Sequence, residues 1–294
     1  MRTFSFVTVD VFTDRRFGGN PLAVVLDARG IDDATMQSIA REFNYSETTF
    51  VLPPSDPAHA AHVRIFTPGG ELPFAGHPTV GTAFALASLG RIAADVRDIV
   101  FEEGIGPVPV SIERDADGSV GRCTLTTAQP PAFVEAIDGP EAAAMLGLTH
   151  DAVRSSPEVW SCGVPFLVVP LASIDHLSAA RLDLPRWREL LDRRSTQKVY
   201  PIARAGTNSL RVRMFAPGLG VAEDPATGSA AAALAGWLAR NFGADGPQHW
   251  QILQGGEIGR PSTIALDYDQ AGGSATRVRV GGRAVMLARG TLTV

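Results

Sequence analysis

The sequence predicts an α/β chain of two similar halves, each a curved, mostly antiparallel sheet wrapped round one buried helix. The first observation behind this is an internal repeat. Arg64-Ile65-Phe66-Thr67-Pro68-Gly69 recurs as Arg213-Met214-Phe215-Ala216-Pro217-Gly218. Gly76-His77-Pro78-Thr79-Val80-Gly81-Thr82-Ala83 meets Glu223-Asp224-Pro225-Ala226-Thr227-Gly228-Ser229-Ala230, and Gly19-Asn20-Pro21-Leu22-Ala23-Val24-Val25 meets Gly163-Val164-Pro165-Phe166-Leu167-Val168-Val169. A repeat of half the chain is far longer than the roughly 20–50 residues of a solenoid unit. The second observation is a pair of helical stretches, TVGTAFALASL and SAAAALAGWLA, that are apolar or small on every side. A surface helix carries a polar face, whereas a helix buried all round does not. The third is that several strand-like runs follow each of these helices.

In chain order, Phe4–Phe12 alternates like a strand, turns at Phe17-Gly18-Gly19-Asn20-Pro21, and returns as Leu22–Leu26. Asp32 is placed to N-cap a helix through Phe43, with Met36 and Ala40 one turn apart on the same face. Glu47–Leu52 reads as a short strand, Pro53-Pro54-Ser55-Asp56-Pro57 as a turn, and His62–Phe66 as a strand ended by Pro68-Gly69-Gly70. Pro78 suits a first helical turn, where its missing N–H costs nothing. That helix is expected over Thr79–Leu89, stopping at Gly90, and its second copy over Pro225–Arg240. Strands are expected near Ile99–Phe101, Val108–Ile112 and Arg122–Thr127, then near His249–Gln254, Thr263–Asp267, Arg277–Val280 and Arg283–Ala288. The Pro- and Ala-rich stretch Ala128–Pro140 suggests the boundary. The halves are then residues 1–127 and 128–282, with a last strand at about 283–294 returning to the first half.

The 294 residues, 45% hydrophobic and 19% charged, suffice for two proper cores. With a net charge of −5 and no basic block, nothing suggests a nucleic-acid partner. Two cysteines, Cys123 and Cys162, without a C-x-x-C motif argue against a disulfide framework or a zinc site. They fit a reducing cytoplasmic setting as buried thiols. The first residues lack the pattern of a signal peptide, and no run approaches the roughly 20 apolar residues of a membrane span.

The repeated motifs keep scaffold residues and change polar ones, His77 in one copy and Asp224 in the other. That is expected of halves related by a pseudo-two-fold axis, with a single site in the cleft between them. A helix start offers unpaired N–H groups and about half a positive charge, which attract a carboxylate or phosphate. Gly76-His77 and Thr227-Gly228-Ser229 are therefore expected to line a site for a small anionic molecule. The helix end disfavours the imidazolium form of His77 and keeps the ring neutral. Asp224 reads as an N-cap residue and, as the mate of His77, as its partner across the cleft. Glu47 lies between a helix and an apolar strand, beside Ser46, Thr48 and Thr49. It is a candidate half-buried acid/base with a raised pKa.

Val9-Asp10-Val11-Phe12, Gly18-Gly19-Asn20-Pro21, Asn44-Tyr45-Ser46-Glu47-Thr48, Ile65-Phe66-Thr67-Pro68, Glu71-Leu72-Pro73-Phe74-Ala75-Gly76-His77-Pro78-Thr79, Glu223 to Ala230, Gln254-Gly255 and Gly259-Arg260-Pro261-Ser262 form a further set of segments. Taken together, they resemble the PhzF family of phenazine-biosynthesis-type isomerases. They run in order through nearly the whole chain. The resemblance implies a diaminopimelate-epimerase-like fold, a homodimer, and a reaction without cofactor or metal. It also implies that Glu47 moves a proton between carbons of a small carboxylate-bearing substrate, cyclic in the family's phenazine-pathway member, helped by His77 and Asp224. Ser46, Gly76, Gly228 and Ser229 match substrate-contacting positions, and Thr227 belongs to the same run. The related epimerases and proline racemases use a cysteine at the start of each central helix. The nearest positions here are Ala75 and Pro225, so a two-cysteine racemase is disfavoured. A one-base epimerase or lyase using Glu47, and a binding protein that turns nothing over, remain the alternatives.

Overall fold

A computed structural model describes residues 2–294. The chain divides into two compact units, residues 1–126 with 281–294, and residues 127–280. Unit 1 contains β1 (Thr3–Val11), β2 (Asn20–Val25), α1 (Asp33–Phe43), β3 (Glu47–Leu52), β4 (Ala61–Phe66), β5 (Glu71–Leu72), α2 (Gly76–Ser88), β6 (Asp98–Glu103), β7 (Gly106–Arg114) and β8 (Val120–Thr126). Unit 2 contains β9 (Ala132–Ala136), α3 (Gly139–Met145), β10 (Glu158–Ser161), β11 (Pro165–Pro170), α4 (Ile174–Ala179), α5 (Leu184–Leu191), β12 (Val199–Gly206), β13 (Ser209–Val212), α6 (Gly228–Asn241), β14 (Gly246–Gln254), β15 (Ser262–Ala271) and most of β16 (Ser274–Gly282). The last strand, β17 (Ala284–Thr293), belongs to unit 1, where it pairs antiparallel with β1 from Thr3–Thr293 to Val11–Ala284.

Most pairings within each unit are antiparallel, and the parallel ones repeat. In unit 1, β2 lies parallel to β3 and β4 parallel to β6. In unit 2, β11 lies parallel to β12 and β13 parallel to β14. The long crossovers that parallel pairs require carry α1 and α2 in unit 1, and α4, α5 and α6 in unit 2.

The two central helices are buried, as their composition predicts. Every residue of α2 except Ser88 is buried, and α6 is buried from Ala230 to Ala239. Small residues let the strands come close. A methyl group added at Gly81 would meet Leu22 Cδ2 and Val11 Cγ2 at 2.6 Å, and one at Gly236 would meet the Trp160 ring at 2.3 Å. Both helices start at positions other than those expected from sequence: α2 already at Gly76, which brings His77 into its first turn, and α6 only at Gly228.

The shorter helices close the outer faces. α1 begins where expected: the Asp32 carboxylate accepts the Thr35 N–H at 2.8 Å, satisfying one of the donors a helix start leaves open. Its Met36, Ile39 and Ala40 pack with Phe4, Phe50 and Phe66. In unit 2 the corresponding cluster joins Met145 of α3, Leu177 of α4 and Trp187 of α5 to Leu167 and Val199. The stretch expected to be a boundary contains a strand, since β9 pairs with β10. Cys123 and Cys162 are both buried, and burial pushes the Cys123 thiol up to about 12.

Candidate active site

In unit 1 the fold brings Glu47 and His77 together. Glu47 is the first residue of β3, opposite Leu22 of β2. His77 is the second residue of α2, and its side chain is 5% exposed. Its Nδ1 lies 3.5 Å from Glu47 Oε2, a contact too long for a good hydrogen bond. Burial pulls the imidazole down to about 3, with a backbone hydrogen bond to Pro21 opposing. The ring is therefore neutral at ordinary pH, and the contact is not an ion pair although it falls within ion-pair distance. Sequence reasoning expected a neutral ring but credited the helix end; burial is the leading cause. His77 Nε2 is buried and has no hydrogen-bond partner among the described residues, which marks it as a group suited to meet a ligand.

The neighbours hold this pair in place. Ser46 Oγ reaches the fully buried Asn20 side chain at 3.4 Å. The turn before Asn20 needs its glycine: Gly19 has φ +63°, and a Cβ there would meet the Val11 carbonyl oxygen at 2.2 Å. Under the start of α2, Thr79 Oγ1 lies 2.8 Å from the Ala75 carbonyl and 2.7 Å from Glu103 Oε1. Glu103 is buried at the end of β6, and burial pushes its carboxyl up to about 8 against the pull of the Thr79 hydroxyl. It is thus a neutral acid at pH 7. No local signal in the sequence announces this: Glu103 lies just past the strand expected near Ile99–Phe101, and its burial comes from the tertiary fold.

In unit 2 the polar groups are knitted more tightly. Asp224 is 6% exposed, and its Oδ2 accepts the Thr227 hydroxyl at 2.5 Å. Gln254 Nε2 donates to the Asp224 carbonyl at 2.8 Å and to Thr227 Oγ1 at 3.0 Å, while its Oε1 accepts the Thr227 N–H at 3.2 Å. Asp224 is not the N-cap that sequence reasoning expected. The N-cap is Thr227, still extended at φ −120°, ψ 92°, and Asp224 stands three residues earlier. The Asp-Pro step favours this, because the residue before proline is driven away from helical geometry. Gly228 and Ser229 form the first turn of α6, the glycine buried and the serine half-buried. Gln254 carried no assigned role in the sequence, although it lies in one of the recognisable segments. The fully buried phenol of Tyr200 also looks onto this cluster: burial, then the Asp224 charge, raises its pKa.

Among the described residues no group of three or more His, Cys, Asp or Glu side chains is arranged to hold a metal ion. Among the described residues no helix is long and apolar enough to cross a membrane.

A neutral buried histidine thus lies against a carboxylate in unit 1, and a second polar cluster stands ahead of the equivalent buried helix in unit 2. Residues 9–290 match the family described as phenazine biosynthesis-like protein, PhzC-PhzF. An uncharacterised isomerase of Mesorhizobium japonicum is 45% identical, covering 100% of both chains. The trans-2,3-dihydro-3-hydroxyanthranilate isomerase of Pseudomonas aeruginosa is 41% identical, over 97% of this chain and 98% of that one. Among solved structures, a PhzF-family protein of Bacillus anthracis superposes with a TM-score of 0.89 at 25% identity, covering 100% of each chain. The chain belongs to the phenazine biosynthesis-like family, with its diaminopimelate-epimerase-like fold, and is an isomerase of the PhzF type.

Proposed function

We propose that this isomerase shifts a proton between two carbons of a small cyclic carboxylate, using Glu47 as both base and acid and no cofactor. The observation that carries the reading is the contact of Glu47 with a histidine kept neutral by burial. An imidazolium would pair with the carboxylate and compete for its charge. A neutral ring forms no ion pair with the carboxylate and presents its own nitrogen to the substrate. In the reaction the Glu47 carboxylate takes a carbon-bound proton, the electron pair delocalises toward the ring and carboxylate of the substrate, and the same carboxyl returns the proton at another carbon. His77 polarises and orients the substrate. Asp224, fixed by Thr227 and Gln254, orients it further, and the backbone N–H groups near Gly76, Gly228 and Ser229 favour its negative charge. Ser46, beside Glu47, and Thr227 complete the contacts. The active molecule is a homodimer, which sedimentation at micromolar concentration checks.

The substrate class follows from the relatives: trans-2,3-dihydro-3-hydroxyanthranilate is the first compound to test, since an isomerase 41% identical carries it in its name. Glu47→Gln keeps the shape of the side chain but cannot exchange a proton. It is expected to bind this compound nearly normally and to lose at least about 10²–10⁴-fold in turnover. Normal turnover by Glu47→Gln would remove Glu47 from the chemistry. A product differing only in configuration would mark the enzyme as an epimerase instead.

A further inference from the structure

Within unit 1 the β6–β7 turn is fastened to the segment that leads into α2. The Ile105 N–H donates to the Pro73 carbonyl at 3.1 Å, and a Cβ at Gly104 would meet Pro73 Cα at 2.7 Å. Just before this turn Glu103, 6% exposed, reaches the fully buried Thr79 of α2. Thr79 Oγ1 lies between two oxygens, Glu103 Oε1 at 2.7 Å and the Ala75 carbonyl at 2.8 Å. A hydroxyl has a single proton to give, and a carbonyl has none. Both bonds are made at once when Glu103 supplies the second proton, as a carboxylic acid donating to Thr79 Oγ1 while Thr79 donates to Ala75. Glu103 Oε2 agrees with this: it is buried with no hydrogen-bond partner among the described residues. That is a modest cost for the carbonyl oxygen of an acid and a large one for half of a carboxylate.

The Ala75 carbonyl matters because Ala75 is the N-cap of α2 and offers no side-chain cap. Its bond from the Thr79 N–H is 3.3 Å long, so the hydroxyl at 2.8 Å is the closer donor. His77 follows two residues later, 3.5 Å from Glu47 Oε2. When Glu103 ionises, the Thr79 hydroxyl turns to the carboxylate and the carbonyl keeps only the longer bond. Burial and the Thr79 bond set the pKa of Glu103, and no charged side chain among the described residues contributes. His77 is the one titratable residue of α2. Glu71 of β5 is held by Arg64 of β4, and Glu102 by His59 and the N–H groups of Ser55 and Asp56. His62 of β4 stands opposite Glu102, and Asp98, Glu113 and Arg114 lie at the far ends of β6 and β7.

We propose that Glu103 is a positioning residue: as a carboxylic acid it donates to Thr79, which holds the Ala75 carbonyl and with it the start of α2, so that His77 meets the substrate in a fixed place. The role rests on the reading of His77 as a substrate-facing group. It makes turnover depend on a proton that never enters the reaction. Raising the pH through about 8 ionises Glu103, so turnover and the setting of His77 change together. Glutamine preserves the arrangement, because its amide N–H donates to Thr79 at any pH.

The full chain is tested first without substrate. Infrared spectra at pH 7 should show a protonated carboxyl band that is missing in Glu103→Gln and that fades as the pH rises through about 8. In ¹⁵N-histidine-labelled protein the His77 ring signal is assigned, among the six histidines, by its absence in His77→Gln. It should shift over the same pH range in the wild type and stay in place in Glu103→Gln. With substrate, wild-type turnover should fall over that range. Glu103→Met should lose up to about 10²-fold at every pH, and Glu103→Gln should recover that loss and show no alkaline fall. No carboxyl band at pH 7, or a His77 signal that ignores the titration, would overturn the proposal. So would an unchanged alkaline fall in Glu103→Gln, or a loss in folded Glu103→Gln as large as that in Glu103→Met, which would make Glu103 a proton carrier. The two spectra are read without turnover, so failure of the proton-shift reading leaves them standing.

Discussion

The two units put different chemistry on the same frame. Each has parallel strand pairs, an arginine on a strand or just past its end, and a buried helix of small residues. Unit 1 places a loosely contacting Glu47 and His77 at the helix start, 3.5 Å apart. Unit 2 places Asp224 in a dense hydrogen-bonded knot with Thr227 and Gln254. The arginines differ in the same sense. Arg64 forks onto Glu71 at 2.7 Å with side chains 19% and 42% exposed, whereas Arg213 forks onto Glu223 at 2.6 Å with 5% and 10% exposed. Arg213 also donates to the carbonyls of Leu177 and Ala180. Packing residues are constrained by shape and change little between copies, while a polar position is free to change once its partners change with it. The loose pair suits a group that must take up and release a proton. The tight knot suits a group that must stay where it is.

Substitution in the two polar clusters should break the comparison most visibly. His77→Gln and Asp224→Asn are both expected to lower turnover by less than Glu47→Gln. Asp224→Asn should act chiefly on KM, because its partners hold geometry rather than carry protons. Steady-state kinetics of the three variants checks this. A loss in Asp224→Asn as large as that in Glu47→Gln would move the acid/base role, or a share of it, to unit 2.

The arginine pairs give the next contrast, in stability. Arg213→Met leaves Glu223 buried without its charge partner and should cost about 3–5 kcal/mol. Arg64→Met breaks contacts to Glu71 and Asp33, whose carboxylates are 42% and 82% exposed, and should cost about 1 kcal/mol or less. Urea titration of both variants reads the difference, and equal losses would mean that burial does not separate the two forks.

The pH dependence of stability separates two buried groups within unit 1. His77 titrates at about 3 in the fold against an ordinary 6.5, so its contribution is present above pH 6.5 and is lost as pH falls toward 3. Glu103 titrates at about 8 against 4.5, so its contribution is present below pH 4.5 and is lost as pH rises through 8. His77→Gln should flatten the acid side of a plot of melting temperature against pH, and Glu103→Gln the side between 4.5 and 8. Unchanged slopes would show that neither group is buried in the form described. The smallest effect concerns helix ends. α1 is capped by the Asp32 side chain, while Ala75 offers α2 no side-chain cap. Asp32→Ala should cost about 1 kcal/mol, measured by thermal melts.

Much of this comparison is legible in the sequence, and its gaps have physical reasons. The buried helices show because a stretch such as TVGTAFALASL leaves no face for water. The Asp32 cap, and β3 from Glu47 to Leu52, show because cap chemistry and short apolar runs are local signals. α6 starts at Gly228 rather than Pro225 because, although Asp224-Pro225 looks like a helix entry, bonds from Gln254, far along the chain, hold that stretch extended. The raised pKa of Glu103 comes from tertiary burial, which outweighs the Thr79 hydrogen bond.

The origin of the returned proton is the most direct measurement. The wild type, His77→Gln and Glu47→Gln would each be incubated with the cyclic carboxylate substrate in ²H₂O, with deuterium in product and recovered substrate followed by mass spectrometry. With Glu47 as the proton carrier, the wild type and His77→Gln exchange label at the reacting carbon, the latter more slowly, and Glu47→Gln exchanges almost none. Exchange persisting in Glu47→Gln and vanishing in His77→Gln would contradict that role and assign the proton to His77.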